Sequence, residues 1–190
     1  FAVGRPDAQM YLHMGLKDQG WDAMGLFARE MRKNGLDPNN RIIMTTNTPQ
    51  PPNVPVEMLN TIYNVADVGI NTTKGGGWEL VNFEHAACRV AQVVSDHTST
   101  KEIFEGHGKL IRCDHIDVDH NYGREMPCPS VEHLVELLVE LYEDRDELER
   151  VAQACYGRVT EDQFKWDNIS DQFDGVFQEV LQAEPLVGSE

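Results

Sequence analysis

Three consecutive glycines lie between a β-like segment and a helix-like segment in the stretch NTTKGGGWELVNFEHAAC, residues 71–88. Glycine lets the backbone turn and approach a ligand without steric penalty. The first amides of a helix that starts after such a loop point outward with the positive end of the helix dipole, which favours phosphate. The residues that would form this site are Gly75, Gly76, Gly77, Trp78, Glu79, Leu80 and Val81. Their spacing matches neither common glycine-rich phosphate motif, so a tight strand-to-helix turn without a ligand is the alternative.

Glu84 is the second residue in this stretch that could do chemistry. At about 100° per residue from Glu79, it falls near 140°, inside an arc that also holds Leu80 and Val81. Asn82 and His85 fall on the opposite side. A carboxylate on a buried helix face costs several kcal/mol unless hydrogen-bond donors satisfy it, and sugar hydroxyls are such donors. Pairing with an arginine, a lysine or a backbone N–H group is the alternative.

A metal site is the less favoured interpretation of four residues further along the chain. Cys113, His115, His120 and Cys128 are separated by two, five and eight positions. These separations are unlike the compact ligand pairs of structural zinc sites, so we predict a hydrophilic loop and no metal. Three cations could assist a bound phosphate, and their spacing does not choose among them: Lys74, Lys101 and Arg112.

Apolar runs alternate with helical stretches along the first two thirds of the chain. The pattern predicts strands within 8–14, 41–47, 68–73, 89–96 and 108–114. Helices are predicted over 21–36, 56–67, from 79, and near 99–104, and residues 114–130 are predicted to be a surface loop. Strands that alternate with helices indicate a doubly wound parallel sheet, an α/β fold of the Rossmann-like kind. The helical sequence over 130–182 is predicted to pack on the same single domain, 1–190.

The composition excludes several classes of partner. The 190 residues include 32 acidic and 16 basic side chains, a net charge of −16, which disfavours nucleic acid and anionic membranes as partners. Four cysteines without a CxxC pair indicate reduced thiols and a cytoplasmic protein. No stretch approaches the roughly 20 apolar residues of a transmembrane helix.

One segment carries a family resemblance. The sequence YNVADVGINTTKGGGWELVNFEHAACRVAQVVSDHTSTKEIF, residues 63–104, resembles the core of the group 1 glycosyltransferases, a retaining family with the two-domain GT-B fold. The shared features are Ala66-Asp67 before a strand, the glycine-rich loop, Glu84 followed by His85-Ala86-Ala87, and the units VVSD and TKEIF. Other segments that resemble this family lie near both ends of the chain.

The resemblance implies a site for a nucleoside-diphosphate sugar and no separate cofactor. Glu84 would hold the ribose hydroxyls, and the loop that contains Asn47 would receive the nucleotide base unless it is only a rigid connector. Gly76 stands where the family has a first glutamate beside the donor sugar, which leaves the catalytic residues unknown. Glu79, three positions further on, could reach back to that sugar. Trp78 could cover the sugar or pack the turn.

The resemblance also implies that the chain is the C-terminal, donor-binding half of such an enzyme. The first residue is Phe1, and we expect that the first strand of this half and an N-terminal acceptor domain precede it. The predicted activity is hexosyl transfer with retention to a hydroxyl of a glycan, a lipid or a small molecule. Two alternatives stay open: a non-catalytic nucleotide-sugar-binding module, and a sugar-nucleotide epimerase.

Overall fold

The computed structural model of the chain describes residues 1–18 and 21–182. The strands are β1 Met10–Leu12, β2 Lys17–Asp18, β3 Trp21–Asp22, β4 Ile42–Met44, β5 Val68–Asn71, β6 Ala91–Ser95, β7 Lys109–Ile111, β8 Cys113–Asp119 and β9 Arg124–Pro129. The α-helices are α1 Ala23–Lys33, α2 Val56–Asn64, α3 Leu80–Ala87, α4 Thr98–Phe104, α5 Val131–Glu143, α6 Arg145–Val159 and α7 Trp166–Gln182. A short 3-10 helix, Asp162–Phe164, precedes α7.

Parallel strands separated by helices organise the fold, as the sequence predicts. The strands β5, β6 and β7 form a parallel sheet with β6 in the centre, and α3 and α4 connect them in order. The strands β1 and β4 form a second parallel pair, in which Met10 lies opposite Ile42. The α/β prediction with parallel sheets is confirmed, with the parallel strands divided between two sheets.

The hydrophobic core lies around the central strand β6. All five residues of β6 are buried, together with Phe104 from α4 and Ile111 from β7. Helix α6 covers this strand through Val151 and Cys155, which are also buried. Helix α5 adds Leu141, which is fully buried, and Leu134, Leu137 and Leu138, which are partly buried against this core. Burial on both faces explains why the β6 sequence, AQVVS, carries no charged residue.

Residues 114–130 do not form the predicted loop. Strands β8 and β9 pair antiparallel over most of this region and meet at a turn around Asp119. The Asp119 side chain accepts a hydrogen bond from the Asn121 amide at 2.9 Å, and Gly123 adopts a left-handed φ of 63°. The prediction failed because the hairpin is polar and largely exposed, with Ile116 and Val118 among its exposed residues. Such a strand lacks the half-buried alternation on which sequence reading relies.

The last helix contributes little to the core. Helix α7 has no buried residue over its 17 positions, and large apolar side chains such as Phe173 and Phe177 are exposed on it. Across the residues that the structure describes, we find no helix that is both long enough and apolar enough to span a bilayer.

Candidate functional site

The glycine loop joins the carboxyl end of β5 to the start of α3, and three side chains from the β6–α4 region hold it. The Ser95 hydroxyl donates to the carbonyl of Thr73 at 2.9 Å, and His97 Nε2 donates to the same carbonyl at 2.8 Å. The Ser99 hydroxyl donates to the carbonyl of Gly76 at 3.0 Å. Ser95, His97 and Ser99 are all buried. The loop is therefore fixed largely through its carbonyl groups, although the amides of Thr73 and Gly75 also donate, to Asn71 Oδ1 and Thr73 Oγ1.

A set of unpaired amides lies at the junction of this loop with α3. The amides of Asn82 and Phe83 donate to the carbonyl of Glu79, at 3.1 and 3.2 Å. Several preceding amides have no acceptor within the described part of the chain: those of Gly76, Gly77, Trp78, Leu80 and Val81. Unpaired N–H groups at a helix N-terminus, added to the helix dipole, attract a phosphate group.

Helix α3 packs with the opposite face to the one that the sequence predicts. Asn82 and His85 are 2% and 9% exposed, whereas Leu80 and Val81 are 63% and 62% exposed. The buried face tolerates polar residues because they are satisfied: Asn82 Nδ2 donates to Gln92 Oε1 at 2.8 Å. Glu84 consequently lies on the exposed face, so the prediction that it faces the core is wrong.

Glu84 interacts with α2 instead of with a cation. Its Oε2 accepts a hydrogen bond from the hydroxyl of Tyr63 at 3.0 Å. Burial, and then this hydrogen bond to a carboxylate, raise the pKa of Tyr63 well above its usual range. The Tyr63 ring stacks on His85 with centroids 5.1 Å apart. Tyr63 thus fixes one oxygen of Glu84 at the surface and leaves its other oxygen open to a ligand.

His85 is a buried, neutral histidine. Its Nε2 donates to the carbonyl of Tyr63 at 3.1 Å, which selects the tautomer that carries the proton on Nε2. Burial lowers the pKa of His85, and the Tyr63 carbonyl only partly opposes this effect. The ring also lies against Gly69, where a β-carbon would approach His85 Nδ1 to 2.6 Å. His85 therefore joins α3 to α2 and β5.

Glu79 begins α3 in an unusual conformation. Its φ of 62° and ψ of 60° place it in the left-handed region, which a residue with a β-carbon rarely adopts. Its Oε2 accepts a hydrogen bond from Asn71 Nδ2 at 2.9 Å. The same nitrogen donates to Asn82 Oδ1 at 2.7 Å, so Glu79 is tied to the buried polar network.

Asn47 lies apart from the glycine loop in sequence but at a similar place in the fold. It follows the carboxyl end of β4 and is exposed. A shallow cavity of about 450 Å³ opens there, lined by Leu16, Met24, Ile42, Met44, Thr45, Thr46 and Asn47. A wall of apolar side chains with a few polar groups suits the flat ring of a base.

Trp78 is a packing residue of the loop. Its ring lies 5.5 Å from that of Phe83 and 5.6 Å from that of Phe164, measured between centroids. Phe83 and Phe164 contact each other edge to face at 5.3 Å. This aromatic cluster connects the glycine loop to the segment before α7.

The hairpin brings together residues that the sequence analysis had left scattered. Ligand atoms of His115, Asp117 and Cys128 lie within 4.8 Å of one another, whereas Cys113 and His120 are outside this group. The ammonium of Lys74, from the glycine loop, forms an ion pair with Asp117. This ion pair raises the pKa of Lys74 and lowers that of Asp117. The Lys74 ammonium thus already provides a positive charge next to Asp117, where a metal ion would bind.

The sequence over residues 21–175 matches the family described as glycosyl transferase-like. This match spans most of the chain. The protein belongs to the glycosyl transferase-like family. A comparison with curated proteins found no match.

Solved structures share the fold of this glycosyl transferase-like chain. Sucrose-phosphate synthase from Thermosynechococcus elongatus aligns with a TM-score of 0.63 at 17% identity, over 96% of this chain and 41% of that one. The C-terminal domain of a group 1 glycosyl transferase from Francisella tularensis aligns with a TM-score of 0.60 at 16% identity, over 84% and 71% respectively. The Anabaena protein HepE, in complex with UDP and glucose, aligns with a TM-score of 0.56 at 16% identity, over 80% and 35%.

These likenesses establish the fold of the glycosyl transferase-like chain. The chain spans 41% of the synthase and 35% of HepE, so it corresponds to part of each.

Sequence reasoning missed the polar residues that support the site of this glycosyl transferase-like domain. The predicted site residues do not include Ser95, His97 and Ser99, which hold the loop, Asn71, which holds Glu79, or Gln92, which holds Asn82. The one available indication was their polarity: Gln92 and Ser95 interrupt an otherwise apolar strand, and a polar residue in a buried strand needs a partner.

Proposed function

We propose that this chain binds the nucleoside-diphosphate sugar of a retaining hexosyltransferase and presents it for transfer to an acceptor hydroxyl. One observation carries the proposal: a glycine loop, fixed largely through its carbonyls, leads into the start of α3 through a run of amides that have no acceptor among the described residues. Pyrophosphate is a suitable ligand because it offers many acceptor oxygens and negative charge in a compact group.

Glu84 supports the same assignment from the exposed face of α3. It lies four residues after Leu80, one turn along the same side of the helix, so a ligand on the loop amides can extend to it. A carboxylate accepts two hydrogen bonds from neighbouring ribose hydroxyls. Tyr63 orients this carboxylate by donating to Oε2.

The cavity beside Asn47 would receive the base. It follows the carboxyl end of a parallel strand, as the glycine loop does, and ligands of open α/β sheets bind beyond these ends. The UDP and glucose bound by HepE, which shares the fold, agree with a donor of this class.

The chemistry would rest on positioning and charge stabilisation. The bond between the anomeric carbon and the diphosphate oxygen breaks, a bond to the acceptor oxygen forms on the same face, and the acceptor's hydroxyl proton passes to the leaving diphosphate. Loop amides stabilise the negative charge that develops on the leaving diphosphate, a role that otherwise needs a cation. Acceptor binding would come from a further domain, as the chain spans under half of the synthase and HepE.

Calorimetric titration of the chain with UDP, GDP and ADP tests the proposal. We expect one of the three to bind, and we expect Glu84→Ala to weaken it by roughly 10- to 100-fold, since a hydrogen bond to a charged group contributes about 1.5–3 kcal/mol. Glu136→Ala on α5 is the matched control, because it removes an exposed helical carboxylate elsewhere. If none of the nucleotides binds, or if both variants bind alike, the proposed site is wrong.

A further inference from the structure

Gly76 and Glu79 compete for one space. A β-carbon built on Gly76 would overlap Oε1 of Glu79, and it would lie 2.6 Å from Cδ and 3.3 Å from Cγ of the same side chain. A β-carbon on Gly75 or on Gly77 would meet nothing within 4 Å. The φ of Gly76 is not in the left-handed region, so its conformation does not require glycine. The carboxylate of Glu79 therefore lies where a side chain at position 76 would begin.

The chain holds Glu79 in that place against a steric preference. Its left-handed backbone is unfavourable for a residue with a β-carbon and carries the side chain back over the loop. Asn71 anchors Oε2, and a relay of buried amides through Asn82 and Gln92 ends on the carbonyl of Val90 at 2.9 Å. Ordering of this kind is expected for a group whose position matters.

The second carboxylate oxygen is free. Within residues 1–18 and 21–182, Oε1 of Glu79 accepts no hydrogen bond, although Asn71 occupies Oε2. This oxygen is not fully buried, and Glu79 as a whole is half-buried, so a ligand in front of the loop can reach it. An ordered, accessible carboxylate oxygen beside phosphate-binding amides repels phosphate and accepts from hydroxyls. Its ligand partner is therefore the uncharged, hydroxyl-rich part of a donor.

We propose that Glu79 positions the sugar of the donor by accepting a hydrogen bond from one of its hydroxyls through Oε1. This inference rests on the proposed function. Gly76 stands where the resembled family has a glutamate, and the carboxylate of Glu79 lies in the volume that a side chain at position 76 would occupy. Glu79 would thus provide the carboxylate that position 76 lacks. Glu79 is thus a sugar-binding residue, while the loop amides bind the diphosphate. A Gly76→Glu substitution alone would collide with Glu79 instead of restoring a site.

The first test compares donors that differ only by the sugar. The 190-residue chain is titrated with UDP and UDP-glucose, GDP and GDP-mannose, and ADP and ADP-glucose. Glu79→Gln keeps an acceptor for Asn71 and the shape of the side chain. We expect the affinity for the nucleotide sugar, taken relative to that for the nucleoside diphosphate, to fall about tenfold, because both ligands are relieved of the same repulsion and only the sugar loses a charged acceptor. If the ratio of the two affinities stays at its wild-type value, Glu79 is only a structural residue and the proposal fails.

The second test uses the space that residues 76 and 79 share, and its first part needs no ligand. Gly76→Ala should lower the melting temperature of the wild-type chain, and the same change in a Glu79→Gly background should not. In titrations, Gly76→Glu combined with Glu79→Gly should recover the sugar-dependent affinity that Glu79→Gly loses. Equal effects of Gly76→Ala in both backgrounds, or no recovery in the double variant, overturn the inference.

The two proposals fail in distinguishable ways. If no nucleoside diphosphate binds the wild-type chain, the donor site is wrong and the sugar role of Glu79 falls with it. If a nucleoside diphosphate binds and Glu79→Gln leaves the sugar preference intact, the donor site stands and only the role of Glu79 is overturned.

Discussion

Glu79 and Glu84 lie five residues apart at the start of one helix, yet their surroundings differ. Glu79 is half-buried, and its Oε2 belongs to a network of amide side chains. Glu84 is exposed, and a single tyrosine hydroxyl holds it. Under the proposed function, the two acids would accept from different hydroxyl groups of one ligand, Glu79 from the sugar and Glu84 from the ribose.

The buried imidazole of His85 makes stability depend on pH. Burial lowers its pKa below the ordinary value of 6.5, so the unfolded chain binds a proton that the folded chain excludes. This contribution to stability is complete above the unfolded pKa and is lost as the pH falls below it. We expect the free energy of unfolding, measured with urea, to decline between about pH 7 and about pH 5.

Histidine side chains in general titrate in this range, so variants must isolate the effect of His85. His85→Gln should flatten the decline, and His120→Gln controls for the loss of an exposed histidine. A parent-like slope in His85→Gln would contradict the assignment of a buried neutral imidazole.

At the scale of elements, α3 is a helix whose buried face is polar. Asn82 bridges Asn71 on β5 and Gln92 on β6, so it joins two strands of the central sheet through side-chain amides. Hydrogen bonds of this kind contribute modestly when made and cost more when one buried partner is removed. The helix is therefore positioned by its polar residues, and its apolar residues Leu80 and Val81 are left beside the ligand site.

Removing one member of this bridge should be more damaging than removing the neighbouring leucine. We expect Asn82→Ala to lower the free energy of unfolding by about 1–3 kcal/mol, because the amides of Asn71 and Gln92 lose a partner. Leu80→Ala, on the exposed face, should stay within about 0.5 kcal/mol of the parent. Chemical denaturation of both variants measures the difference. The reverse ranking would mean that α3 buries its apolar face.

The sequence predicted the positions of strands that are apolar runs. It did not predict the orientation of a helix whose buried side chains are mostly polar. The positions of β1, β4, β5, β6 and β7 agree with the sequence analysis, because buried parallel strands read as apolar runs. The face of α3 was mispredicted because the rule that apolar residues are buried does not see hydrogen-bond partners on other strands. The triple glycine was visible in the sequence, whereas the fit of Glu79 above Gly76 depends on a left-handed φ that no residue pattern encodes.

At the scale of the whole molecule, the charge of −16 opposes any anionic ligand. Two of the three nearby cations are engaged in ion pairs, since Lys74 pairs with Asp117 and Lys101 pairs with Asp96, which leaves Arg112 as the remaining one. Binding of a diphosphate must therefore rely mainly on neutral backbone dipoles over short distances, while the distant carboxylates repel the ligand.

This balance predicts an uncommon salt dependence. Dissolved salt screens charges beyond about 10 Å at 0.1 M, and it weakens short-range amide contacts much less. We therefore expect the affinity for the nucleoside diphosphate that binds to rise as NaCl is increased from low ionic strength to about 0.3 M. The matching nucleoside, which is uncharged, serves as the control and should bind equally at each salt concentration. A loss of diphosphate affinity with salt would instead indicate that lysine or arginine side chains hold it.

Ser95, His97 and Ser99 fix the carbonyls of the glycine loop, namely those of Thr73 and Gly76. This fixed loop should affect the kinetics of ligand binding. A triglycine chain in water samples many shapes, and a site made from it would normally have to wait for the right one. Here the folded protein already holds the loop in one conformation, so the site is preorganised before the donor binds. Ligand capture should then proceed in a single kinetic phase whose rate grows in proportion to ligand concentration.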